Sequence, residues 1–162
     1  MTAFKRIAYG VDVEPTLAEL AMNPIPPGHV QLTNYGFRML QGPFPDRPCL
    51  SALLTTATSL VPGALIGAIL NVTPPGGVLA PHRDLLPDNV QRYHVVIANG
   101  PMAVMKIGKE RKKQKAGEIW ALNLRHRIHE VRNHDTVDRV ILILDAAVTQ
   151  DLFRNDRVRS AE

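Results

Sequence analysis

The sequence predicts a mainly β fold, an antiparallel sandwich or barrel preceded by one or two helices. Two observations carry that expectation. After Gly63 the chain breaks into short runs rich in Val, Ile, Leu and Ala separated by turn residues, the rhythm of antiparallel strands in a closed or double-layered sheet. Before Gly63 only two stretches have helical spacing, and 13 prolines along the chain imply many fixed turns.

The first helix is expected over "EPTLAELAM", with Pro15 at an early helical position and Leu17, Leu20 and Ala21 on one face. Otherwise the chain up to about residue 47 is rich in Pro and Gly and reads as an edge or lid segment. A second helix is expected over residues 49–61. From Pro48 to Pro81 no residue is formally charged, and "LSALLTTATSLVPGALIGAIL" approaches the length of a membrane span. Its Ser and Thr content and the Pro62-Gly63 break point instead to a buried helix, a turn and a buried strand. The strands follow as "ALIGAILNV", "GGVLAPH", "RYHVVIA", "AVMKIG", "EIWALN", "HEVRN" and "RVILILDAAV". Hairpins are expected at "NGP", residues 99–101, and at the basic stretch before Gly117. At 162 residues the chain has the size of one domain, with 1–62 as an N-terminal helical or lid segment and 63–148 as the β core.

A hydrophobic share of 45% with 21% charged residues is globular and excludes wholesale disorder. The formal charge of +4 is concentrated in "KIGKERKKQK", Lys106 to Lys115. No second basic patch or nucleic-acid signature accompanies it, so a solvated hairpin tip is favoured over a nucleic-acid surface. The single cysteine, Cys49, has no internal disulfide partner, and "MTAFKRIAYGVDVEP" lacks the apolar core of a secretion signal. A cytoplasmic protein off the membrane is expected. Oligomeric state has no signal in the sequence.

The chemistry is concentrated in "VLAPHRDLLPDNVQRYHV", residues 78–95. In extended chain His82 and Asp84 project the same way, which lets an imidazole and a carboxylate reach one cation about 2.1 Å from each. A third ligand has to come from His94, His126, His129 or His134, of which His129, opening the run "HEVRN", is best placed. Two imidazoles and one carboxylate make the facial triad of non-haem iron(II) oxygenases; the same set also suits zinc with a catalytic water. A zinc hydrolase would need a general base, and Glu130, next to His129, points to the other face of an extended strand.

In "VDRVILILD" both strand faces are apolar beyond Arg139, so its guanidinium sits at the mouth of the core and needs a partner. Asp145 or Glu118 would be a structural one. Arg92 and His94 share a face with Val96 and bring a second inward cation to the same neighbourhood. A small dianion with a carboxylate at each end, such as 2-oxoglutarate, would satisfy both arginines.

The set "NVTPPGGVLAPHRD", "RYHVVI" and "GEIWALNLRHRIHEVRNHDTVDRVILILD" resembles the aspartyl/asparaginyl β-hydroxylase family of iron(II)- and 2-oxoglutarate-dependent oxygenases. The resemblance runs from about Asn71 to Asp145. It implies a double-stranded β-helix, the cupin-like jelly roll, with His82 and His129 as iron ligands. It implies that Arg139 takes the distal carboxylate of 2-oxoglutarate, with Arg92 and His94 near its other carboxylate and Asn71 at that same end. Because Asp84 is present, the site resembles the complete-triad bacterial members rather than the animal peptide hydroxylases that keep two histidines. The implied activity is hydroxylation of a C–H bond in an amino acid, peptide or related small substrate, releasing succinate and carbon dioxide. The rival reading is a non-catalytic cupin-like metal-binding or sensor domain, which has no use for two inward arginines.

Other residues carry lesser expectations. Asn133 is placed to orient His129 or touch substrate, or else to serve a turn; Trp120 is expected in the core, with a substrate platform as the minor alternative. Arg83 is expected in solvent or paired with Asp88, and His126 and His134 are assigned to the surface. Tyr35, Phe37 and Arg38 lie in the early segment positioned to close over substrate.

Overall fold

The computed structural model describes residues 2–26 and 37–154; Tyr35 lies outside them. Ten strands and two helices follow one another: β1 (Phe4–Ala8), α1 (Glu14–Met22), β2 (Arg38–Gln41), α2 (Pro48–Leu60), β3 (Ala64–Thr73), β4 (Val78–His82), β5 (Val90–Ala98), β6 (Ala103–Ile107), β7 (Glu110–Lys112), β8 (Ile119–Leu122), β9 (His129–Asn133) and β10 (Arg139–Ala147). The strands form two antiparallel sheets, a major one in the order β1-β8-β5-β10-β3-β2 and a minor one in the order β4-β9-β6-β7. This is the expected jelly roll, mainly β with two N-terminal helices.

The major sheet is buried on both faces, which explains the unbroken apolar run of β10. Leu142 and Leu144 point outward and pack with Leu70, Tyr93, Val95 and Ile119 against Leu50, Leu53 and Ala57 of α2 and Leu20 of α1. Ile141 points inward and packs with Val96, Trp120 and Leu122 against Met105, Ile107 and Val131 of the minor sheet. The helices thus back the major sheet. Of the first 62 residues, Phe37 and Met39 line the cavity between the sheets, and Ala3 and Phe4 join the packing there.

Pro15 stands in the first turn of α1, and α2 also begins on a proline. Neither helix has a side-chain cap of its own. Instead the Glu19 carboxylate, on α1, accepts the backbone N–H groups of Cys49 and Leu50, both at 2.9 Å. It satisfies two orphan donors and sets a negative charge at the positive end of α2. The uncharged stretch after Pro48 resolves into α2, a turn and β3, and among the described residues no helix is long and apolar enough to cross a membrane.

Of the two expected hairpins, one is absent and one is present. "NGP" does not close a hairpin: β5 pairs with β8 and β10, whereas β6 pairs with β7 and β9, so the turn carries the chain from one sheet to the other. The hairpin expected in the basic stretch is there, where Ile107 faces Glu110 across a two-residue loop. Gly108 takes φ 58° there, as a primed turn with glycine in its first central position demands. The strands β1, β2 and β7 had no sequence signal. They are short, lie at sheet edges and carry charged or polar residues.

Candidate metal centre and cosubstrate cavity

His82 ends β4 and faces His129, the first residue of β9. Their meeting depends on an irregularity. Leu79 pairs with Val131 and His82 with His129, so Ala80 and Pro81 together stand opposite Glu130 alone. This is a bulge, with one residue more on β4 than on β9. It turns Leu79 and His82, three apart, to the same inner face, and proline is tolerated because β4 is an edge strand. The bulge also orients the ring: His82 Nδ1 lies 2.8 Å from the Ala80 carbonyl oxygen. A proton on Nδ1 donates to that carbonyl and leaves the Nε2 lone pair free for a metal.

Asp84, two residues on, completes the group. Its Oδ1 is 3.3 Å from His82 Nε2 and its Oδ2 3.5 Å from His129 Nε2. Donors at right angles, each about 2.1 Å from a shared cation, are about 3 Å apart, so the three fit one ion with little adjustment. Among the described residues this is the one cluster of histidine, cysteine and carboxylate donors that converges in this way. Burial first, with His82 and Arg92 adding to it and Asp84 opposing, holds His129 below the ordinary histidine pKa. That favours the neutral imidazole a metal requires. Asp84 is held from behind by Arg92, whose Nη1 donates to Oδ2 at 2.5 Å.

The three donors open into a cavity of about 240 Å³ between the sheets, walled by Leu79, Leu124, Val131, Ile143, Phe37 and Met39 and reaching Asn71, His94 and Arg139. Arg139 is 3% exposed. Both structural partners considered for it are engaged elsewhere. Asp145 makes a two-pronged pair with Arg92, and Glu118 accepts from Arg6, Trp120 and the Lys115 N–H. Among the described residues Arg139 bonds to one side chain, the neutral Gln114, at 3.0 Å. Burial pushes its pKa down to about 10, which still leaves it charged at neutral pH.

His94 projects into the same cavity, paired across the ladder with Ile143 of β10. Burial, then Arg139 and Arg92, holds its pKa well below the ordinary value, so the ring is neutral. Its Nδ1 and the Asn71 Oδ1 are both sequestered and without hydrogen-bond partners among the described residues. Arg92 is different from expectation: its second inward charge is explained by Asp145 and Asp84, which together outweigh the cost of its burial and raise its pKa.

Asn133 and Trp120 are not cavity walls. Asn133 Nδ2 donates to the carbonyls of Thr73 and Val137, tying the end of β9 to β3 and to the turn before β10. The Trp120 indole N–H donates to Glu118 at 2.8 Å and its ring packs in the core beneath Lys112. Glu130 points outward to Lys106 and Arg132, which removes the base a zinc hydrolase would need. His126 and His134 are exposed. Gln114 had no sequence signal, being one neutral residue in a run of lysines.

A sequence search against curated proteins returns no significant match. The architecture is similar to that of a prolyl-4-hydroxylase from Pseudomonas putida, with TM-score 0.65 and 12% identity over 90% of this chain and 92% of that one. It is similar to HygX from Streptomyces hygroscopicus, solved with nickel and 2-oxoglutarate bound, with TM-score 0.65 and 13% identity over 91% and 84% of the two chains. A 2OG-Fe(II) oxygenase family oxidoreductase from Burkholderia pseudomallei gives TM-score 0.62 and 11% identity over 91% and 89%. At these identities the likeness is one of fold. The family model described as aspartyl/asparaginyl beta-hydroxylase matches residues 29–148, well over half of the chain and all three converging donors. This chain belongs to the aspartyl/asparaginyl β-hydroxylase family.

Proposed function

We propose that the protein is an iron(II)- and 2-oxoglutarate-dependent dioxygenase that hydroxylates a C–H bond of an amino acid, peptide or related small substrate. The observation that carries this reading is Arg139, a buried cation with no carboxylate partner among the described residues, in the same cavity as His82, Asp84 and His129. A buried guanidinium left so is costly, and a carboxylate of a bound dianion repays that cost. A plain metal-binding module has no such need.

The residues divide the work. His82, Asp84 and His129 would hold the iron, and Arg139 the distal carboxylate of 2-oxoglutarate. His94 and Asn71, neutral and with unpaired polar atoms, are suited to the other end. Arg92 keeps Asp84 in place. When bound, the iron and cosubstrate would supply activation of dioxygen, the oxidant, of which one oxygen atom ends in the new C–OH and the other in the succinate left as 2-oxoglutarate loses carbon dioxide. Leu79, Leu124, Val131 and Ile143 keep water from the reacting atoms. The lone Cys49 suits a reducing cytoplasm.

Anaerobic titration with iron(II) and then 2-oxoglutarate tests this. The visible charge-transfer band of the chelate is expected in the wild type, and in Arg139→Ala only at far higher cosubstrate concentration. An unchanged titration in that variant would overturn the assignment.

A further inference from the structure

The basic stretch Lys106–Lys115 runs through the β6–β7 hairpin into the segment before β8, where Gln114 is 2% exposed while Lys113 and Lys115 on either side are exposed. Its main-chain carbonyl accepts from Asn99 Nδ2 at 2.5 Å, which ties the backbone here to the residue that follows β5. The side chain then turns inward, where Oε1 accepts from Arg139 Nη2 at 3.0 Å. The other end of the amide, Nε2, is shut off from solvent and makes no hydrogen bond among the described residues, though the side chain also lies against His94.

An idle buried donor is costly, and two simpler residues would avoid it. Leucine would carry no polar atom but would strip Arg139 of its acceptor. Glutamate would bond Arg139 more strongly, as Asp145 bonds Arg92, and in doing so would cancel its charge. Glutamine alone of the three orients the guanidinium and leaves it a full cation. The contrast lies within one cavity: Arg92 is matched by two carboxylates, Arg139 by one amide.

We propose that Gln114 is a positioning residue for the cosubstrate: a neutral acceptor that aims the Arg139 guanidinium into the cavity and keeps its charge uncompensated for an incoming carboxylate. The inference rests on the function proposed above. It makes the basic stretch more than a solvated tip, because a polar side chain buried within it prepares the anion site.

The test uses the full chain under nitrogen with manganese(II) as an oxygen-inert stand-in for iron(II), reading melting temperature and calorimetric Kd for 2-oxoglutarate. Gln114→Glu should melt at or above the wild-type temperature without cosubstrate, bind manganese(II) as the wild type does, and bind 2-oxoglutarate at least about tenfold more weakly. Gln114→Leu, which keeps the charge but loses the aim, should weaken 2-oxoglutarate by about three- to tenfold, again at unchanged manganese(II) affinity. A purely structural glutamine would instead lower the melting temperature in both variants and leave the Kd alone, which would overturn the inference. If the Glu variant does not fold, the Leu variant decides on the same criterion. A wild type that ignores 2-oxoglutarate would sink the function proposed above and this inference with it; a wild type that binds it, beside variants of equal Kd, would sink this inference only.

Discussion

Arg92 and Asp145 face each other across the β5–β10 ladder and are joined by two hydrogen bonds, Nε to Oδ1 and Nη2 to Oδ2, both 2.7 Å. The same guanidinium reaches Asp84 with its remaining nitrogen. A pair internal to the sheet thereby sets the position of Asp84, a candidate metal donor that lies outside any strand.

Asp145→Asn should therefore act on stability and on the metal together. It leaves a largely buried Arg92 with one carboxylate, at a cost of about 3 kcal/mol. It also draws Asp84 further into the ion pair and lowers metal affinity by about tenfold or more. Urea unfolding and a metal titration on the same preparation measure both; unchanged metal affinity would show that Arg92 does not govern Asp84.

Arg139→Met should have the opposite sign on stability. The native residue is a buried cation facing a single amide, so an apolar replacement of similar length is expected to stabilise the ligand-free protein by about 1 to 2 kcal/mol. It should abolish the stabilisation that 2-oxoglutarate confers on the metal-loaded wild type. A loss of ligand-free stability would mean that Arg139 is a structural residue.

Acid should unfold the metal-free protein in two stages. His94 and His129 are held below the ordinary histidine value, so the unfolded chain takes up protons that the folded chain refuses. Stability is full above about pH 6.5 and falls below it by up to about 1.4 kcal/mol per pH unit for each histidine. Glu118 and Asp135 come later. Burial works against the Glu118 charge but its bonds to Lys115, Trp120 and Arg6 outweigh it, and backbone N–H groups, first that of Met102, lower Asp135. Their contribution persists until the pH drops below about 4. Urea midpoints in chelator across this range give the profile, with His94→Gln expected to flatten the first stage. A midpoint that holds constant from about pH 7 to about pH 5.5 would contradict the histidine assignment.

Gly100→Ala tests the turn between the sheets. A Cβ there would stand 2.1 Å from the Asp135 carboxyl carbon, and that carboxylate accepts the Met102 and Thr136 N–H groups. Repulsion should cost about 2 kcal/mol, and Asp135→Gly should recover part of it in the double variant. Additive losses would mean that the two residues do not meet.

Much of this was legible in the chain because it is periodic. Strands β3 to β6 and β8 to β10 announce themselves through alternation or unbroken apolar runs, His82 and His129 through their place on them, and Asp84 through its spacing from His82. What was not legible is non-local. The pairing of Arg92 with Asp145 joins residues on separate strands, and only the register of the ladder reveals it. Gln114 was hidden because its neighbours are solvated lysines and a single inward turn of an irregular segment has no period to detect. "NGP" looks like a hairpin because the same residues serve any tight reversal, whether it stays within a sheet or leaves it.

The bulge at Ala80-Pro81 means that the centre is written partly in a count rather than in kinds of residue. Shortening β4 by one position between Leu79 and His82 would keep every ligand in the polypeptide yet send the imidazole out into solvent. A homologue carrying the same letters without the extra residue would be an impostor. Conversely, insertion of one residue in an edge strand of an inert barrel is a short evolutionary step toward a working centre.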